Sequence, residues 1–115
     1  MIYKGSCHCG AIQWRLKCLK ITQAVICNCS ICHRRGAVMS EEYFSPQAME
    51  ITSDLGRKTY RFGDLMVDHF FCGTCGVYVF HQVTAEPGRY RINLACLAGF
   101  DPGSVSTRFV NGRAY

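Results

Sequence analysis

"CGTCG", residues 72 to 76, is the stretch on which the fold turns. In a Cys-x-x-Cys turn the backbone reverses so that both thiolates aim at one ion, and a glycine directly after the second cysteine accepts the positive φ the reversal requires. A second pair lies near the N-terminus in "CHCG", residues 7 to 10, where Cys7 and Cys9 project to one side of an extended or turning segment and Gly10 follows. Cys7, Cys9, Cys72 and Cys75 together supply four thiolates, the closed tetrahedral set of a structural zinc site. Such a site ties the start of the chain to its second half.

A third group stands in "CNCSICHRRG", residues 27 to 36. If the outer pairs close one site, Cys27, Cys29 and Cys32 are left with three thiolates and a free fourth position, the pattern of a catalytic metal site. His33 is the nearest rival for that position. Its place in a tight knuckle, directly after Cys32, turns the ring away from the ion, which leaves it a proton-transfer role or simple exposure. Arg34 and Arg35 carry forked donors suited to a ligand's carboxylates, the alternative being two solvated surface side chains.

The rest of the sequence sets the context for this reading. Nine cysteines in 115 residues is a high and odd number. The opening lacks a basic segment followed by an apolar one, so a cytoplasmic location is expected, where clustered thiols bind metal rather than pair as disulfides. No apolar run approaches the roughly 20 residues that cross a bilayer. The formal charge of +5 is scattered from Lys4 to Arg113, which makes nucleic acid an unlikely principal partner. With 49% apolar and 18% charged residues, the whole chain, 1–115, is expected to fold as a single domain.

Period-2 patterning points to strands. "AIQWRLK" alternates Ile12, Trp14 and Leu16 with Gln13, Arg15 and Lys17, and short runs of strand character recur at "TQAVIC", "AVMSEEYF", "RKTYRF", "VDHFF", "VYVFHQ" and "RYRINLACL". These seven candidates predict a mainly β protein of small, zinc-stapled antiparallel sheets. "SPQAME", residues 45 to 50, predicts no more than a turn of helix, and Gly56, Gly63, Gly88 and Gly103 read as turns. Tyr78 and Phe80 are expected on one strand face and Val77 and Val79 on the other, with the aromatics in the core. His8 reads as a surface residue, His69 and His81 as structural histidines within strands, and Cys96 as a small buried hydrophobe. Cys18 is open between core and surface.

These motifs, with "GSCHCGAIQW", "HFFCGTCGVYVFH" and "NLACLAGFDP", resemble the glutathione-dependent formaldehyde-activating enzyme family, which also includes centromere protein V. "CNCSIC", "HFFCGTCGVYVFH" and "CLAGFD" look closer to the centromere-protein-V-like branch than to the formaldehyde enzymes. The resemblance implies an Mss4-like fold and two zinc ions, one structural at Cys7, Cys9, Cys72 and Cys75 and one catalytic at Cys27, Cys29 and Cys32. It implies a carbon–sulfur lyase-type reaction that joins a glutathione-like thiol to an aldehyde, as in S-hydroxymethylglutathione formation. His33 is then the sequence-nearest acid, and Arg34 and Arg35 the nearest groups for the thiol's carboxylates. The alternative is a noncatalytic zinc module for protein or nucleic-acid contacts.

Overall fold

A computed structural model describes residues 1–112. In chain order its elements are β1 (Ile2–Ser6), β2 (Ile12–Lys17), β3 (Gln23–Cys27), α1 (Ser30–Arg35), β4 (Met39–Ser40), β5 (Met49–Asp54), β6 (Arg57–Tyr60), β7 (Val67–Cys72), β8 (Tyr78–Val83), β9 (Arg91–Ile92) and β10 (Ser106–Val110). Three small sheets result, ordered β1-β2-β5, β10-β3-β4 and β6-β7-β8-β9. Every pairing is antiparallel except that of β10 with β3. The expected mainly β architecture of small sheets is what the chain adopts.

β2 shows why. Ile12, Trp14 and Leu16 are buried while Gln13, Arg15 and Lys17 face solvent, so a register slip of one residue would expose the whole apolar set. Trp14 lies flat over its cross-strand partner Gly5, where an added Cβ would sit 2.0 Å from the indole. The same indole meets the edge of Phe80 at 5.4 Å, which joins the first sheet to the third through one core.

Several elements differ from the sequence expectation. β1, β5, β10 and α1 were not among the seven candidate runs, because their apolar residues are too sparse or too exposed to mark a period. Only Met39–Ser40 of "AVMSEEYF" and Arg91–Ile92 of "RYRINLACL" are strand. Leu94–Cys96 instead forms a 3-10 turn capped by Asn93, whose side chain accepts from the Ala95 amide. "SPQAME" makes the expected turn, with the Ala48 amide bonded to the Ser45 carbonyl at 3.0 Å.

A β-bulge in β8 corrects the expected face assignment. Phe70 pairs with Phe80 but Phe71 pairs with Tyr78, so Val79 is an extra residue. The bulge breaks the period of two. Phe80 stays in the core against Trp14, whereas the Tyr78 hydroxyl swings to the opposite face and meets His69 and His81. Asn93 holds the distortion: its Nδ2 donates to the Tyr78 carbonyl and its backbone N–H to the Val79 carbonyl, both at 2.8 Å.

Replacing Asn93 by Ala removes the side-chain bond to that carbonyl. We expect a loss of about 1–3 kcal/mol in urea unfolding, the cost of an unmade buried hydrogen bond; an unchanged midpoint would show that the bulge persists without it.

Candidate functional site

The two outer cysteine pairs meet. Cys7 and Cys9 sit in the turn between β1 and β2, Cys72 ends β7 and Cys75 lies in the turn that leads to β8, and their four sulfurs lie within 4.8 Å of one another. Cys9 Sγ is 3.7 Å from Cys7 Sγ and 3.6 Å from Cys72 Sγ. Disulfide sulfurs are about 2.05 Å apart, whereas tetrahedral zinc–sulfur bonds of about 2.3 Å set sulfurs about 3.8 Å apart. The spacing therefore fits a metal ion. Gly10 and Gly76, directly after the second cysteine of each pair, have φ of 85° and 77°; the left-handed backbone expected after the Cys-x-x-Cys turn also follows the Cys-x-Cys one. The Ile12 amide points at Cys7 Sγ at 3.3 Å and the Thr74 and Cys75 amides at Cys72 Sγ at 3.4 Å. The Cys75 thiol is pulled down to about 6, first by the Val77 backbone N–H. These donors favour thiolates.

Cys27, Cys29 and Cys32 form the second cluster, their sulfurs also within 4.8 Å of one another. Cys27 ends β3, Cys29 is the N-cap of α1 and Cys32 lies in its first turn, with the Cys32 amide 3.4 Å from Cys29 Sγ. Burial, then the neighbouring Cys29 sulfur, pushes the Cys32 thiol up to about 12. A bound cation would offset that cost by stabilising the thiolate form, and the spacing of the three sulfurs fits one. The end of the described chain packs on them: a Cβ at Gly112 would lie 2.8 Å from Cys27 Sγ, and the Gly112 amide donates to Asn28 Oδ1 at 2.7 Å. Among the described residues these are the two groups of His, Cys, Asp or Glu that converge closely enough to hold a metal.

The clusters differ in their surroundings. The trio lines a cavity of about 760 Å³, whose wall includes Arg35, Tyr43, Phe62, His69, His81 and Arg91; no residue of the four-sulfur group lines it. Of the residues that follow Cys32, Arg35 reaches the cavity. Arg34 is exposed and folds back on the Ser30 carbonyl at 2.9 Å. His33 is exposed and outside the cavity wall. At 3.6 residues per turn, Arg35 returns to within about 60° of Cys32, whereas His33 is about 100° and Arg34 about 200° around the axis. Neither His33 nor Arg34 is placed to touch a ligand held in the cavity. Cys18 and Cys96 belong to neither cluster. Both are half-buried against the core, and burial pushes the Cys96 thiol up to about 12.

His69 and His81, read from the sequence as structural, are cavity residues. They pair directly across β7 and β8 and are 5% and 6% exposed, so nearly all of each ring is held away from water. Tyr78 Oη lies 2.8 Å from His69 Nδ1 and 3.0 Å from His81 Nδ1, and Tyr43 Oη lies 3.1 Å from His81 Nε2. The Arg35 guanidinium stacks 4.1 Å from the Tyr78 ring centre and points Nη1 at His69 Nδ1 at 3.3 Å. Burial, followed by the Arg35 charge, lowers His69 to about 4 and His81 to about 2. Both rings are neutral near pH 7. Two histidines, one on either side of "CGTCG", were the available signal, but only the pairing register reveals that they face each other.

A comparison with known protein families matches residues 2–108 to the Glutathione-dependent formaldehyde-activating enzyme family. The chain belongs to that family. A crystal structure of a Rhodobacter sphaeroides protein is similar to this member of the Glutathione-dependent formaldehyde-activating enzyme family, with a TM-score of 0.75 and 34% sequence identity over 91% of this chain and 99% of that one. Among the described residues no helix is long and apolar enough to cross a membrane.

Gly112→Ala drives a methyl group against Cys27 Sγ and is expected to lower metal occupancy at the trio while sparing the four-sulfur site; elemental analysis with far-ultraviolet circular dichroism checks it. Stability should also fall as pH drops from about 6.5 toward about 4, because the unfolded chain takes up protons that His69 and His81 refuse when folded. Urea unfolding of His81→Asn across that window should show a shallower dependence than the wild type.

Proposed function

We propose that the protein is a zinc-dependent carbon–sulfur lyase-type enzyme that makes and breaks the adduct of a glutathione-like thiol with an aldehyde, in the manner of S-hydroxymethylglutathione formation. The observation that carries this reading is the unequal placement of two thiolate clusters, one of four sulfurs away from the cavity and one of three in its wall. Family membership supports the same reaction class and an Mss4-like arrangement of the sheets. The four-sulfur cluster would hold a structural zinc and the trio a catalytic one. Zinc at the trio would supply an open position at which an incoming thiol loses its proton.

The chain's own residues bind and orient the reactants. Arg35 and Arg91 are the cationic side chains of the cavity wall, against the single carboxylate of Asp64. Their forked guanidinium donors suit a ligand that carries carboxylates, as glutathione does, and Arg35 presents its charge one helical turn from Cys32. Val25, Ile31, Met39, Val67 and Val83 supply an apolar lining, which lowers the local polarity and strengthens charge interactions at that wall. In the addition the thiolate electron pair forms the C–S bond, the carbonyl π pair moves to oxygen, and a proton on that oxygen completes the hemithioacetal; breakdown is the reverse.

Zinc content per chain, measured on the wild type and on Cys29→Ser, is the primary test. Two ions per chain falling to one in a folded variant, with loss of hemithioacetal formation from glutathione and formaldehyde followed by NMR, is the expected result. A folded Cys29→Ser protein with undiminished turnover would overturn the assignment of the trio.

A further inference from the structure

The cavity wall contains a chain of hydrogen bonds whose direction is set by one residue. Arginine has donors only. Arg35 Nη1 lies 3.3 Å from His69 Nδ1, so that ring nitrogen carries a lone pair. Tyr78 Oη, 2.8 Å from the same nitrogen, therefore gives its only proton to it, so the single Nδ1 lone pair is shared between a short bond from Tyr78 and the longer one from Arg35. Having no second proton, Tyr78 Oη accepts from His81 Nδ1–H at 3.0 Å. A neutral His81 protonated at Nδ1 is bare at Nε2, which accepts from the Tyr43 hydroxyl at 3.1 Å. Every proton is accounted for, and His69, bare at Nδ1, carries its own proton at Nε2.

That Nε2–H has no protein partner among the described residues. Among the described residues, the buried polar side-chain atoms that are both unpartnered and shut off from solvent are Trp14 Nε1, Arg35 Nε and Arg91 Nε. His69 Nε2 is not one of them, and His69 lines the cavity. Its free N–H thus opens onto the cavity that the cysteine trio also lines. Phe62 stacks on the imidazole with ring centres 5.8 Å apart and planes 23° apart, which fixes its direction.

We propose that His69 is the proton donor to the carbonyl oxygen of the aldehyde, with Tyr43, His81, Tyr78 and Arg35 as positioning residues that hold it in the Nε2–H form. The catalytic half of this rests on the thiol–aldehyde reading above; the tautomer half does not. During addition the sulfur electron pair forms the C–S bond, the carbonyl π pair moves to oxygen, and that oxygen takes the His69 Nε2 proton. The Tyr78 proton passes to His69 Nδ1, the His81 Nδ1 proton to Tyr78, and the Tyr43 proton to His81 Nε2. Neither imidazole becomes charged. The negative charge brought by the thiolate ends on Tyr43 Oη, whose ring lies 4.6 Å from the Arg91 guanidinium, and water in the cavity returns the proton the thiol first released. His69 Nδ1–H then faces the Arg35 donors, a repulsion that favours resetting the chain.

The test combines nitrogen-15 NMR of the histidines in the zinc-loaded protein with kinetics. At pH 7 we expect His69 protonated at Nε2 alone and His81 at Nδ1 alone, and a His69 Nε2–H signal that shifts on titration with acetamide, an unreactive carbonyl probe. The opposite tautomer at His69, or a signal indifferent to acetamide, overturns the proposal whether or not glutathione and formaldehyde are the substrates. In turnover, His69→Phe should lower kcat by about 100-fold with little change in KM, the scale for losing one donor to a developing oxyanion. His69→Gln, which keeps an N–H at the position of Nε2, should recover part of that loss. A folded His69→Phe protein with full zinc content and wild-type kcat also overturns it. A wild-type protein inactive with thiols and aldehydes, yet showing both NMR signatures, sinks the reading of the reaction and leaves the cavity donor standing.

Discussion

The convergence of four cysteine sulfurs from two distant turns is the constraint on which the remaining structure depends. Cys7 and Cys9 belong to a hairpin of the first sheet and Cys72 and Cys75 to a hairpin of the third. Sheets of three and four short strands each bury little on their own. A metal shared between hairpins adds on the order of 10 kcal/mol in favourable cases, enough to decide whether so small a domain folds. The knuckle glycines, the amides aimed at sulfur and the Trp14 to Phe80 contact beneath them act on the same two sheets.

With the third sheet anchored in this way, the site-facing side of β7 and β8 is free to be polar. The Val79 bulge is what makes it so, since it spends one residue to carry Tyr78 from the core side to the side of His69 and His81. The carbonyls it disturbs are taken up by Asn93, which also caps the following 3-10 turn. One buried asparagine thus serves both the ladder and the cavity wall. Gly112, after β10, packs on Cys27 and Cys29, so the trio is held by α1 on one flank and by the segment after β10 on the other.

The electrostatics of the two clusters differ for the same architectural reason. Four cysteine sulfurs, backbone amides aimed at them, lie outside the cavity. Three thiolates in a cavity wall have Arg35 one helical turn away and two neutral imidazoles nearby. A neutral imidazole donates a hydrogen bond without adding a positive charge beside the three sulfurs. Arg35 sits between the trio and the histidines, stacked on Tyr78, and so acts on both halves of the site.

Cysteine spacing determined the metal groups, because ligand pairs are local: two or three residues and a glycine set where both sulfurs point. Alternation determined β2, whose buried face is visible in Ile12, Trp14 and Leu16. The weak strands β1, β5 and β10 were not legible, since their stability comes from partners and not from their own pattern. The site was only partly legible for the same reason. His33 and Arg34 stand next to the trio in sequence and point away from the cavity, whereas His69 and His81 stand far from it and line the wall. Sequence proximity ranks residues along a chain, but a cavity is closed by strand register, helix phase and a bulge, and those are settled only when separate segments pack against each other.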